Sequence, residues 1–351
     1  MHRRSLRAIA VALTLSVSTF GAAACGSSNE KSSSSSSSAA KPAGKKIRVG
    51  LVTDIGGLND RSFNALANKG LQDAKSQLGI DGRVLISKSN ADYVPNLSTL
   101  AQQKYDLVIA VGFLMADATS TVAKKFPNVK FAIIDSSAPG LKGAPKNVEG
   151  LLFKEQEAGY LVGYAAGLYA KDNKATAISS VGGQKIPPVD HYIAGYQAGA
   201  KKADPQIKTS NSYSQDFVDQ AKCKEIALNQ ISAGAKVVFQ VAGQCGLGAL
   251  DAAKEKGVQG IGVDADQSYL GDQVFTSALK KVDVAVTDAI KRAQAGKFAG
   301  GTDLTATVKT GGIGIGKYNT AGSKYADQVK KVQDQIANGK VTDIPDTVAG
   351  K

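Results

Sequence analysis

The sequence predicts an α/β protein built as two doubly wound, parallel-sheet lobes. Three observations carry this. Short β-branched runs alternate with helical stretches from Ile47 onward. The alternation restarts after Phe153. The chain of 351 residues leaves room for two domains beyond its polar N-terminal segment.

The elements follow in order. Ile47-Arg-Val-Gly-Leu-Val-Thr-Asp54 is apolar, β-branched and bounded by Gly56-Gly57, so it reads as a buried parallel strand. Asp60-Arg-Ser-Phe63 opens a helix with an acidic cap, and Phe63, Leu66, Ala67, Leu71, Ala74 and Leu78 hold the helical period. Further strands read at 83–87, 106–112, 130–135 and 148–153, with helices between the earlier ones. A helix from about Glu155 begins the second series, whose strands read at 175–181, 236–242, 260–263 and 274–278. Parallel strands joined by helices take right-handed crossovers, so each series winds into its own sheet. Ligands of open α/β sheets sit beyond the carboxyl ends of the strands. The polar residues there are Asp54, the segment after Gly112, Asp135, Gln244 and Asp264.

The N-terminus has its own pattern. His2-Arg3-Arg4 and Arg7 precede an apolar run over 8–21. That run is shorter than the about 20 residues a membrane-spanning helix needs, so 1–24 reads as a secretory signal. Ala22-Ala-Ala-Cys25-Gly26 resembles the lipobox of bacterial lipoproteins, in which the Cys thiol is lipidated; the other reading is an ordinary Ala-x-Ala cleavage site. Ser32 to Ser38 is an unbroken serine run followed by Ala, Lys, Pro and Gly. Such a segment buries nothing, so 25–46 reads as a disordered tether with a reach of roughly 25 Å. Together these place the protein, lipid-anchored at Cys25, on the extracytoplasmic face of a bacterial cell membrane.

Composition excludes several classes. The formal charge is +13, but the lysines are scattered and no RNP-type or helix-turn-helix signature occurs, so nucleic acid is not the expected partner. Cys223 and Cys245 would face an oxidising compartment, where either a disulfide or two buried thiols fits. Gly311-Gly-Ile-Gly-Ile-Gly316-Lys317 approaches a phosphate-binding loop, but Tyr318 stands where Ser or Thr would hold Mg²⁺. It reads as a turn or edge strand. Gly159, Gly163 and Gly167 mark a buried helix packed closely on a sheet. His191 is the only His after the signal, with no HExxH and no GxSxG to serve. The inventory favours binding over catalysis, with no metal and no cofactor.

The stretch Asp54-Ile-Gly-Gly-Leu-Asn-Asp-Arg-Ser-Phe-Asn64 resembles the signature of the basic membrane protein family, the PnrA-like lipoproteins. Gly112-Phe-Leu-Met-Ala-Asp117, Glu155-Gln-Glu-Ala-Gly-Tyr-Leu-Val-Gly163, Phe239-Gln-Val-Ala-Gly-Gln-Cys-Gly-Leu-Gly248, Gly262-Val-Asp-Ala-Asp-Gln267 and Ser277-Ala-Leu-Lys280 resemble its later motifs in order. The likeness covers nearly all of 47–351.

The resemblance implies a type I periplasmic-binding-protein fold with a three-segment hinge, its lobes drawn from 47–154 plus 281–305 and from 155–280 plus 306–351. It implies the substrate-binding component of an ABC importer, a monomer that captures a purine nucleoside and delivers it to a membrane permease. Phe63 and Phe217 would sandwich the base, each stack worth roughly 1–3 kcal/mol. Asp264 would accept from the ribose hydroxyls, and Lys280 would donate to the sugar. Asp54, Asn59 and Asp117 would complete the polar rim, with Gly262 allowing close backbone approach. Around Phe217 the family run usually reads Ser-Phe-x-Asp-Pro, whereas this chain has Asp216-Phe217-Val-Asp219-Gln220. The alternatives are the same fold holding a simple sugar or other small polar ligand, a surface sensor or adhesin without transport, and an enzyme such as a nucleoside hydrolase.

Overall fold

A computed structural model describes residues 45–348. The signal, Cys25 and the serine run lie outside the described residues. Two six-stranded sheets organise the described residues. The first takes β1 (Arg48–Val52), β2 (Asp81–Leu85), β3 (Leu107–Ala110), β4 (Lys130–Ile134), β5 (Val148–Phe153) and β11 (Asp303–Ala306), in the order β2-β1-β3-β4-β5-β11, all parallel. The second takes β6 (Ala177–Gly182), β7 (Lys208–Tyr213), β8 (Ala235–Val241), β9 (Gln259–Asp264), β10 (Val274–Lys280) and β12 (Ile313–Ile315). Its order is β7-β6-β8-β9-β10-β12, with β12 antiparallel to β10. The two orders are the same doubly wound pattern, used twice.

Burial explains which strands were legible. The central strands are mostly apolar because helices cover both faces; β3, Leu-Val-Ile-Ala, is buried throughout. β7, with the sequence Lys-Thr-Ser-Asn-Ser-Tyr, and β11 were not predicted. Both are sheet edges, where partial exposure permits polar residues. The Gly311 to Gly316 segment contains β12, an edge strand.

Helices α1 (Phe63–Leu78), α2 (Tyr93–Gln102) and α3 (Ala116–Lys125) belong to the first series; α4 (Glu155–Asp172), α5 (Pro187–Ala203), α6 (Gln220–Ser232) and α7 (Gly246–Glu255) belong to the second. α8 (Val282–Gln294) follows β10 yet returns to the first sheet. Its Thr287 Oγ1 donates to the Gly70 carbonyl of α1 at 3.0 Å, and Arg292 Nε donates to the buried Glu149 of β5 at 2.8 Å. The chain then crosses back from β11 to β12, and its last helix among the described residues is α9 (Ala326–Ala337). It thus passes between the sheets at three places: β5 to α4, β10 to α8, and β11 to β12.

The glycine face of α4 meets a helix, α5, rather than the expected sheet. A Cβ on Gly159 or Gly163 would collide with the carbonyl oxygen of Tyr192 or Tyr196, and one on Gly195 or Gly199 would collide with that of Gln156 or Tyr160. The two backbones touch through reciprocal glycines. Gly163→Val is therefore expected to destabilise the folded body by on the order of 3 kcal/mol through overpacking. A urea midpoint within experimental error of wild type would refute this close approach. Elsewhere in the second body a disulfide joins Cys223 in α6 to Cys245 at the start of α7, with Cα atoms 5.5 Å apart.

Candidate functional site

In a doubly wound sheet the crevice opens where strand order reverses, beyond the carboxyl ends. Here that is between β1 and β3 in one body and between β6 and β8 in the other. Loops from all four strands line a single cleft of about 640 Å³, including its open mouth. The first body contributes Asp54 and Ile55 after β1, Asp60, Phe63 and Asn64 at the start of α1, Gly112 and Phe113 after β3, and Asp135 after β4. The second contributes Ile186, Pro188, Val189 and Tyr192 around α5, Phe217, then Val241, Gly243 and Gln244 after β8, and Val263, Asp264 and Lys280 from β9 and β10.

Each wall is held by its local structure. Asp60 caps α1, accepting from the backbone N–H groups of Ser62, Asn64 and Ala65. That places Phe63 at the first helical position, facing the cleft. Asn64 Oδ1 accepts from the Asp54 backbone N–H at 3.0 Å, and Asn64 Nδ2 donates to the Ile55 carbonyl at 3.2 Å, fixing the β1 loop to the helix. Phe217 sits in a tight loop. Asp216 accepts from Val218 and Asp219 N–H, Asp219 caps α6, and the Phe217 carbonyl accepts from the Cys245 N–H at 3.0 Å. Its ring lies on Gly183, where any Cβ would strike it.

The polar floor is a buried charge cluster. The Lys280 ammonium lies 2.6 Å from Asp135 Oδ1 and 2.8 Å from Glu155 Oε1. Glu155 also meets His191 Nδ1 at 3.1 Å. Lys280 stands 5.1 Å from the centre of the Phe63 ring and 4.9 Å from that of Phe153. Asp264 Oδ1 accepts from the Tyr192 hydroxyl at 3.0 Å, and Oδ2 from Ser62 Oγ at 2.9 Å. Asp54 Oδ1 accepts from the Ile55 N–H at 2.7 Å and from the Tyr93 hydroxyl.

Burial pushes the Asp54 carboxyl up to about 6, and it pushes Asp135 to about 7 despite Lys280, with the Glu155 charge adding to the rise. Burial opposes the charged form of Glu155 too, but Lys280 and His191 outweigh it and hold Glu155 low. His191 is raised: burial acts downward, and its bond to Glu155 prevails. Carboxyls and a His raised on folding bind extra protons in the native state. Their stability contribution is full below the unfolded values, near 4 for Asp, and is lost as pH rises through about 6 and 7. The His191 contribution is likewise lost upward. The unfolding free energy is therefore expected to fall by on the order of 3 kcal/mol from pH 5 to pH 8. Equal or higher urea midpoints at pH 8 would contradict it.

Five of the eight residues singled out for binding line the cleft together: Asp54, Phe63, Phe217, Asp264 and Lys280. Three do not. Asn59 is exposed at the end of a one-turn helix and borders a separate surface groove with Leu247 and Asp251. Asp117 is exposed on α3, because its neighbours Met115 and Ala118 turn inward. Gly262 makes room for a side chain rather than a ligand: a Cβ there would strike Ser277 Oγ and Gln267 Oε1. Sequence reasoning gave no role to Glu155, His191, Asn64, Phe113 or Tyr192. The buried Lys280 was the available signal, because such a cation requires acidic partners.

Two similarly wound lobes closing on one polar and aromatic cleft define a two-lobed solute-binding protein. The family model for ABC transporter substrate-binding proteins of the PnrA-like kind matches residues 47–347, and the chain belongs to that family. It is 37% identical over 318 residues to the ABC transporter nucleoside-binding protein BmpA of Lactococcus lactis subsp. cremoris, covering 84% of this chain and 88% of that protein. It is also 37% identical over 286 residues to an uncharacterized lipoprotein of Pyrococcus abyssi, covering 78% of this chain and 70% of the relative. Among solved structures it resembles an ABC transporter system solute-binding protein from Aeropyrum pernix K1, with 27% identity and a TM-score of 0.77, over 85% of this chain and 94% of that one. The fold is the type I periplasmic-binding-protein fold, and the chain is the substrate-binding protein of an ABC transporter.

Proposed function

We propose that the protein captures a purine nucleoside between its lobes and hands it to a membrane permease. The observation that carries this is the pair of phenylalanines: Phe63 on the first lobe and Phe217 on the second line one cleft. A flat heteroaromatic ring has two faces, so stacking on both couples binding to closure. The name of the Lactococcus relative supports the same ligand class. The ribose would lie over the charge cluster. Each Asp264 oxygen keeps a second lone pair for a vicinal diol. Lys280 has three N–H groups, and Asp135 and Glu155 take two. We further propose anchoring through a lipidated Cys25; the Ala22-Ala-Ala-Cys25 run and the lipoprotein naming of the Pyrococcus relative support it.

The cleft's charge sets an exclusion. Asp54, Asp60, Asp135 and Asp264 surround a single lysine in its lining. A phosphorylated ligand meets like charge at low dielectric, which costs several kcal/mol. Calorimetry with inosine, guanosine and adenosine is expected to give binding, with inosine 5′-monophosphate about 100-fold weaker or more. No heat with any nucleoside at millimolar concentration would sink the assignment.

A further inference from the structure

We propose that Ser62 and Gln267 form a latch between the lobes that positions Asp264 and sets the rate at which a captured ligand leaves. The inference deepens the capture reading and rests on it. Ser62 occupies the cap position of α1, yet its side chain makes no bond to its own helix; Asp60 does the capping. The buried Ser62 hydroxyl instead reaches across to the second lobe, within 3.1 Å of the Val263 carbonyl and 2.9 Å of Asp264 Oδ2.

Gln267 answers from the other side. It is fully buried beneath β9, in the space that Gly262 leaves open. Its Oε1 accepts from the Val263 N–H at 3.2 Å and from Gln240 Nε2 at 2.8 Å. With those bonds orienting the amide, Nε2 donates to the Arg61 carbonyl of the first lobe at 3.2 Å. Arg61, whose carbonyl takes this bond, and Asp264, which Ser62 holds, have φ of 55° and 60°. Both are left-handed conformations that favour glycine, and non-glycine residues persist in them where the surroundings over-determine them.

The consequence for binding is kinetic. Opening the cleft breaks the Ser62 and Gln267 bonds, while a ligand entering the open form meets neither. Loss of the latch therefore speeds release and does not slow association. Asp264 also loses one of its two side-chain donors and is less firmly held for the ligand. Ser62→Ala isolates this role, because the Asp60 cap remains. Gln267→Met breaks the second bond independently.

The test follows association and release of inosine and adenosine by stopped-flow tyrosine fluorescence, the chain having no Trp. Small-angle X-ray scattering of the ligand-free proteins accompanies it. The latch predicts about 10-fold faster release in either variant, association as fast as wild type or faster, and a more open ligand-free ensemble than wild type. Release and scattering equal to wild type in both variants would overturn it, as would slowed association with unchanged release. If wild type takes up no nucleoside, the ligand assignment falls and scattering alone decides the latch, unchanged profiles overturning it.

Discussion

Lys280→Met is expected to destabilise the folded body by about 3–5 kcal/mol at pH 7. Lys280 is 2% exposed and is bonded to two carboxylates that are themselves buried, Asp135 and Glu155. Methionine fills much of the same volume, so the loss measures the unpaired carboxylates rather than a cavity. The sign of the pH dependence separates these causes. Asp135 already rises to about 7 in the intact cluster, and without the lysine's charge it rises further. It then takes up a proton as pH falls, so the deficit of the variant shrinks between pH 8 and pH 5. A pH-independent deficit would indicate a packing defect. Replacing all three groups together, as Asp135→Asn, Glu155→Gln and Lys280→Met, is expected to recover much of the stability, since a buried ionic cluster and a neutral isostere differ little. Ligand binding would not recover.

The second large effect falls on affinity. Phe63→Ala and Phe217→Ala each remove one face of the proposed base sandwich, at roughly 1–3 kcal/mol per stack, or about 5- to 150-fold in Kd. Phe63 also packs against the hydrophobic core, so its alanine variant loses some stability as well. Gly183→Ala offers a cleaner probe. It retains every ligand-facing side chain but drives a methyl group into the Phe217 ring. Calorimetry should show weakened nucleoside binding in all three variants. Affinity unchanged in both Phe217→Ala and Gly183→Ala would rule out stacking on the second lobe and favour a ligand without an aromatic ring.

Much of this site was legible because strand ends are legible. Asp54, Asp135, Gln244 and Asp264 follow apolar runs, and all four reach the cleft. Phe63 and Phe217 were assigned by family resemblance, since a phenylalanine on a helix face or in a loop looks the same in a core or in a binding wall. Asn59 and Asp117 stand outside the cleft for a related reason. Motif membership names a segment, whereas one residue of rotation along a helical turn decides whether a side chain faces ligand or water. Gly262 shows the converse: the small residue was recognised, but the neighbour needing the space was Gln267.

What the sequence by itself determined is the alternation of strand and helix, the repetition of that pattern, and the polar residues that end the strands. These follow from periodicity and local chemistry, which act over a few residues. Only the tertiary structure decided that the Thr287 hydroxyl of α8 bonds to the Gly70 carbonyl of α1, and that Asp135 and Glu155 share Lys280. It alone decided that Ser62 bonds across the cleft to residue 263 rather than to its own helix. These partners stand 125 to 217 positions apart in the chain. Their pairing depends on how two separately wound sheets are set against each other, and no local pattern encodes that geometry.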